Sequence, residues 1–251
     1  MMTTTDVGDI PSVSRDEAHA LAATEYSRMV DQFRSLGPDD WARPTDCPLW
    51  DVRAMAGHSV GMMNDFSSLR SMMGRMRAAT KDAKATGGPL VDSMTAQQVA
   101  DHAHLSVDQL IATAEALGPK AARWRTSGKA VMRKMPMKQE VGGQPETWRF
   151  GYLLETILTR DPWMHRVDIS RATGRDVVLT ADHDGRIVAD VVAEWARRHG
   201  QPFTLELTGP IGATFVSGDG GEHITIDAIE LCRILSERAE GTGLLAQPVP
   251  F

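Results

Sequence analysis

"TRDPWMHRVDIS", residues 159–170, decides how the chain is read. The stretch reads as helix, yet Pro162 sits inside it, where proline removes a backbone hydrogen bond and usually kinks the helix. Asp161 stands four residues before His165. That is about one helical turn, so both side chains can point at the same spot. An i, i+4 salt bridge, a piece of satisfied core, an acid–base pair and half of a metal site all fit this spacing. Asp168, three residues after His165, can orient the imidazole ring. It is equally placed to pair with Arg171 or Arg175.

This helix is expected to run from Glu146 to Thr173 and to end at Gly174, a good residue for the position after a helix. Three long helices precede it. The first opens with a Ser14–Glu17 capping box, carries Ala22, Tyr26, Met29, Val30, Phe33 and Leu36 at helical spacing, and ends at Gly37-Pro38. The second starts near Trp50, with Val52, Met55, Ala56, Met62, Met63, Phe66, Leu69 and Met73 on its inner face. "TGGP" (86–89) breaks the chain. The third opens with a second capping box, Thr95–Gln98, and stops at Gly118-Pro119. Residues 118–145 read as irregular or weakly stranded. Four long helices with polar connections predict a four-helix bundle.

After Gly174 the texture changes. A helix around Ile187, Val188, Val191, Val192 and Trp195 closes at Gly200. "PFTLELTGP" alternates as a strand, "ATFVSGDGGEHITI" (213–226) reads as a β-hairpin, and "DAIELCRILSERAE" as a last helix. The expected fold class is α+β: a disordered lead over 1–13, a bundle over 14–174, and a small α+β domain over 175–251.

Composition limits the function classes. The 251 residues are 42% apolar and 24% charged, which suits a globular protein with a sizeable core. The net charge of −6 argues against nucleic acid as a partner, because that binding depends on neutralising phosphates. No apolar run is long enough for a membrane span. The N-terminus lacks a signal-peptide pattern, so cytoplasmic residence is the expectation. Two cysteines, Cys47 and Cys232, with no CxxC, suggest reduced thiols.

Among eight histidines, His58 is distinctive. It follows Met55 at i+3 and precedes Met62 at i+4, so it shares their buried face, as a hydrogen-bonded core residue or a ligand. Gly57 beside it leaves room for something to approach. A third ligand from a neighbouring helix would complete Asp161 and His165 with positions left open, the pattern of catalytic metal sites. The stretch 120–139 carries seven Lys or Arg and no acid. It reads as a solvated loop or as a flap over the site that recognises an anionic substrate.

"DDWARPTDCPLWDVRAMAGHSVG" (39–61) resembles the segment leading into the histidine helix of mycothiol-dependent maleylpyruvate isomerase-like proteins, a family of DinB-like four-helix bundles. "TRDPWMHRVDISRATGR" (159–175) resembles its second metal segment, and "DAIELCRILSERAEGTGLLAQPVPF" (227–251) its C-terminal end. The resemblance implies a divalent metal, usually zinc, held by His58, Asp161 and His165, with mycothiol as thiol cosubstrate. The thiolate would add to an electrophilic small molecule, as an isomerase or an S-transferase. An arginine of the C-terminal domain is thought to serve catalysis in the isomerase, and Arg238 is the nearest match. Three positions depart from the family pattern: Asp161 replaces glutamate, C-P-G-W becomes C-P-L-W, and L-S-G-R becomes L-S-E-R. Maleylpyruvate itself is therefore not the expected substrate. A metal-dependent hydrolase using bound water and a non-catalytic binder of an apolar ligand are the rival expectations. The state is monomer or homodimer.

Overall fold

The computed structural model describes residues 4–127 and 130–251, and its architecture is α+β. In chain order the elements are β1 (Thr4–Asp6), α1 (Arg15–Ser35), α2 (Val52–Asp65), α3 (Leu69–Thr86), α4 (Leu90–His102), α5 (Val107–Trp124), α6 (Ala130–Arg133), β2 (Pro136–Val141) and β3 (Gln144–Arg149). They continue with α7 (Phe150–Tyr152), a π-helical turn (Leu153–Ile157), α8 (Leu158–Thr173), α9 (Arg186–His199), β4 (Phe203–Thr208), β5 (Thr214–Ser217), β6 (Glu222–Asp227) and α10 (Ala228–Leu235). Two compact units result, one built from 15–128 and 165–177, the other from 1–14, 129–164 and 178–251. The division falls inside the continuous helix α8.

The first unit holds the bundle core. Tyr26, Met29 and Phe33 of α1, Val52, Met55 and Met63 of α2, Leu110, Ala114 and Ala121 of α5, and Ile169 of α8 form one buried cluster. Burying the Val, Leu, Ile, Met and Phe side chains among them contributes roughly 1.5–3 kcal/mol each. At Gly118 an added Cβ would lie 3.1 Å from the Tyr26 Cβ, so the missing side chain lets α1 and α5 approach. Pro119 does not stop α5, which continues to Trp124. The carbonyl left without a donor belongs to Glu115, and both residues are exposed, so water can serve it.

Two expected helices are each two helices. The second breaks after Asp65, and the Ser68 hydroxyl caps α3 by accepting from Ser71 N at 3.1 Å. Leu69 and Met73, expected inside, are 57% and 41% exposed. The third breaks between His102 and Val107. Its true capping box is Ser106–Gln109, whereas Thr95 lies inside α4 and Gln98 is buried, donating to Asp65 Oδ2 at 2.7 Å.

The helix expected from Glu146 begins at Phe150 instead. Residues 144–149 are strand β3, paired antiparallel with β2. Gly142 and Gly143 both have positive φ, 55° and 72°, as a two-residue hairpin turn of this twist requires. The basic stretch is likewise no free loop over its described part. It ends α5, forms α6 and enters β2, and its Arg125 and Arg133 are buried; Gly128 and Lys129 lie outside the described residues.

In the second unit the sheet order is β1-β5-β4-β6. The hairpin expected over 213–226 does not form, because β5 and β6 lie on opposite sides of β4, antiparallel and parallel to it respectively. β4 has the cleanest alternation, with Phe203, Leu205 and Leu207 all buried, and takes the central place. The lead is also corrected: Thr4–Asp6 pair in parallel with Thr214–Val216, β-branched threonines closing an otherwise open edge.

A buried ion network organises this unit. Arg160 is 1% exposed and donates to Asp190 Oδ2 at 2.6 Å and to the Pro250 carbonyl at 3.1 Å. It also pairs with Glu194 at 2.8 Å. Glu194 accepts from Tyr152 at 2.7 Å and from Arg198 at 2.8 Å. Although burial opposes the charge, Arg160, Tyr152 and Arg198 together hold the Glu194 carboxyl below its usual range.

Helix α10 ends in a Schellman motif. Glu237 N donates to Ile234 O at 3.0 Å and Arg238 N to Arg233 O at 2.8 Å. The residue between helix and exit, normally glycine, is Glu237 at φ 62°. A side chain there costs about 1–2 kcal/mol, partly offset because glycine gains more freedom on unfolding. Glu237→Gly is therefore expected to raise stability by about 0.5–1 kcal/mol in urea unfolding; a loss of stability would show that the side chain holds the turn.

Candidate metal centre

The centre is assembled from the loop before α2, from α2, and from α8. The loop is tightly bonded. Thr45 N donates to Trp50 O at 3.2 Å, Trp50 N to Cys47 O at 2.9 Å, and the Thr45 hydroxyl to Trp50 O at 2.8 Å. Asp51 caps α2 by accepting from Ala54 N at 2.7 Å. These contacts fix Trp50 and start the helix that carries His58 two turns on. Asp46 pairs with Arg171 at 2.9 Å, tying the loop to the end of α8.

His58 and His165 are each 4% exposed, with ring centroids 5.1 Å apart in an edge-to-face arrangement. The Trp50 ring packs against both at a tilt, its centroid 4.7 Å from that of His58 and 5.8 Å from that of His165. Asp161 precedes His165 on α8, so the helix itself sets their relation. Donor atoms of His58, Asp161 and His165 all lie within 4.8 Å of one another. Two imidazoles and one carboxylate are a donor set that suits zinc and similar divalent ions. The residues thus fit the group that the sequence pattern implies.

Asp168, fully buried, is hydrogen-bonded through Oδ2 to His165 Nδ1 at 3.2 Å. The pairs that competed for it go elsewhere: Arg171 to Asp46, and Arg175 to Asp40 at 2.6 Å. With Nδ1 bonded to Asp168, Nε2 is the nitrogen that would face a metal. Behind the helix, Arg166 is almost wholly buried against Glu25, with Nε–Oε1 at 2.5 Å.

Two features escaped the sequence reading. Cys47 joins His165 and Asp168 in a second group of donor atoms within 4.8 Å. The turn residues around Pro48 were visible, but nothing local showed that they fold back onto α8. Gly57 does not open space for a ligand; Gly57 and Gly61 line the approach of α4, and at Gly61 a Cβ would fall 2.6 Å from Gln98 Cβ. Arg238 belongs to the other unit from His58 and His165. It lines an open cleft with Ile234, Glu237, Glu240 and Leu245.

Two histidines and a carboxylate on α2 and α8 of a helical bundle make a candidate metal site, and bundle cores are a recurrent place for such sites. The model of the mycothiol maleylpyruvate isomerase N-terminal domain matches residues 22–170. That is more than half of the chain, and the protein belongs to this family. Two solved structures, of the mycothiol-dependent maleylpyruvate isomerase and of a histidine-to-alanine mutant of it, are similar with a TM-score of 0.55 each. Each is 16% identical and covers 94% of this chain and 92% of that chain; the likeness is one of fold. No curated protein matches. Among the described residues no helix is long and apolar enough to cross a membrane.

The two cysteines differ in burial. Cys232 is fully buried and burial pushes its thiol up to about 12, whereas Cys47 is partly exposed. Iodoacetamide at about pH 8 is expected to modify the native protein once, at Cys47, by intact mass and peptide mapping. Labelling of Cys232 at a similar rate would contradict this burial.

Proposed function

We propose that the protein is a divalent-metal-dependent enzyme that activates mycothiol for addition to an electrophilic small molecule, as an S-transferase or as a cis–trans isomerase acting by addition and elimination. The observation that carries the reading is the convergence of His58, Asp161 and His165 donor atoms within 4.8 Å in a chain of this family. These three residues would hold the metal, zinc in the first instance. When bound, the metal would lower the thiol pKa and make a thiolate available near neutral pH.

The chain's own residues supply the rest. Asp168 holds the His165 ring through Nδ1 and raises its basicity as a donor. Trp50 covers both imidazoles, which limits water around the reacting thiol and strengthens electrostatics there. Asp161, one carbon shorter than glutamate, is brought to the pair by its i, i+4 place on α8. Arg238 is proposed as a catalytic residue on family resemblance. Cytoplasmic residence, where the thiol cosubstrate would be reduced, goes with this reading.

Protein purified without chelator is expected to carry about one divalent ion per chain and to conjugate mycothiol to a reactive electrophile. His58→Ala and His165→Ala should lose both properties while keeping the helical circular-dichroism spectrum. Wild-type protein that neither carries nor binds metal would sink the proposal. Turnover without any thiol would favour hydrolysis by bound water.

Asp168→Asn keeps the shape of the side chain and removes its charge. Metal affinity is expected to fall about 10–100-fold in competition with a chromogenic chelator. An unchanged affinity would mean that Asp168 does not act through His165.

A further inference from the structure

The cleft beside α10 is a second candidate site, and Arg238, proposed above as catalytic, is the one lining residue it shares with that reading. It has a volume of about 570 Å³ and is lined by Gly142, Ile234, the turn 237–241, Leu245, Ala246 and Pro248. That volume lies in the range of small-molecule sites, which combine apolar walls with a few convergent polar groups. Here Ile234, Leu245, Ala246 and Pro248 form the apolar part, and Glu237, Arg238 and Glu240 put three charges on a single turn.

The walls are fixed by backbone. Gly241 sits where a Cβ would lie 2.3 Å from Leu245 O, and at Gly142 one would lie 2.5 Å from Pro248 Cγ. Val249 N donates to Leu235 O at 2.8 Å. The turn is equally defined, because the Schellman bonds set the directions of Glu237 and Arg238. Its Glu237 occupies the left-handed conformation at φ 62°, the position after the helix that glycine fills at least cost. An exposed glutamate kept there against backbone strain points to a use for its carboxylate.

We propose that this cleft binds an apolar small molecule bearing one cationic amine, with Glu237 as the residue that selects for the charge. Two carboxylates and one guanidinium leave the lining with a net charge of −1, so an ammonium is favoured over a carboxylate of the same shape. The apolar body of the ligand packs on Ile234, Leu245 and Pro248. Arg238 meets a polar substituent of the ligand.

Three probes of matched size test this: phenethylammonium, 2-phenylethanol and 3-phenylpropionate, titrated into the full-length protein and followed by amide chemical shifts of Ala239 and Ala246. Phenethylammonium is expected to bind about fivefold more tightly than the carboxylate at low salt, a preference of the size one exposed carboxylate gives, and high salt should erode it. Glu237→Gln and Glu237→Gly should both remove the preference. The glycine variant also relieves the backbone strain, so its loss of selectivity cannot be laid to unfolding. Equal or tighter binding of 3-phenylpropionate, no shift of Ala239 or Ala246 with any probe, or an undiminished preference in both variants would each overturn the proposal. None of these readouts depends on metal or thiol, so failure here leaves the proposed enzyme function untouched, and the converse holds.

Discussion

Two arginines on one helix anchor the rest of the structure. Arg160 and Arg166 of α8 are each 1% exposed, and an unpaired charge at that depth would cost several kcal/mol. Each is matched by buried carboxylate: Arg160 by Asp190 and Glu194, Arg166 by Glu25. Such pairs are geometrically exacting, because a rotation of the helix would strand charge without a partner. Arg160 therefore fixes the start of α8, with Asp161 beside it, within one unit, and Arg166 fixes its continuation, with His165 beside it, within the other. Gln32 adds a bond from α1 to the Arg166 carbonyl at 2.8 Å.

Helix periodicity then gives His165 two acids with different work. Asp161 is four residues before it and Asp168 three residues after it, so all three occupy one stripe of α8. Asp168 is fully buried and engaged with Nδ1. Asp161 is the more exposed of the two and shares a cluster with His58. Burial separates a carboxylate suited to orienting the ring from one suited to meeting an ion. Trp50 closes the arrangement from the loop side, and its place depends on Thr45, whose hydroxyl accepts from Cys47 N at 3.2 Å and donates to Trp50 O at 2.8 Å.

Strongly periodic or explicitly punctuated parts of the fold were legible in the sequence. α1 and α9 follow their apolar spacing, and Gly200 ends α9 in the left-handed region as its position suggests. The convergence of His58, Asp161 and His165 could be inferred only in part from spacing, because nothing local places α2 beside α8. Breaks made by serine were missed: Ser68 and Ser106 cap new helices where apolar periodicity runs on unbroken. Pro119 and Glu146 misled in the opposite sense. A proline at an exposed turn is tolerated, and a glutamate beside a Gly-Gly turn is strand. Long-range choices were out of reach, since the partner of β5 depends on competition among strands rather than on its own residues. The buried arginines were hidden for a similar reason, as no residue shows its burial until its partners are known.

The π-helical turn ahead of α8 shows how one inserted residue resolves a conflict of phase. Tyr152 and Arg160 both reach Glu194, at 2.7 and 2.8 Å. Eight residues apart on an unbroken α-helix, they would point about 80° from each other at about 100° per residue. The turn at Leu153–Ile157 adds one residue without its usual rotation, so the pair behaves as if seven apart, within about 20° of a common face. Leu158 N donates to Leu153 O, which closes the wide turn, and α8 proceeds from there. Pro162 then falls four residues after Leu158, so the carbonyl it fails to serve is that of the first residue beyond the π turn. The proline thus lies in the opening turns of α8, where an α-helical bond is lost next to a segment already departing from α geometry. Its cost falls away from the regular turns that carry His165 and Asp168.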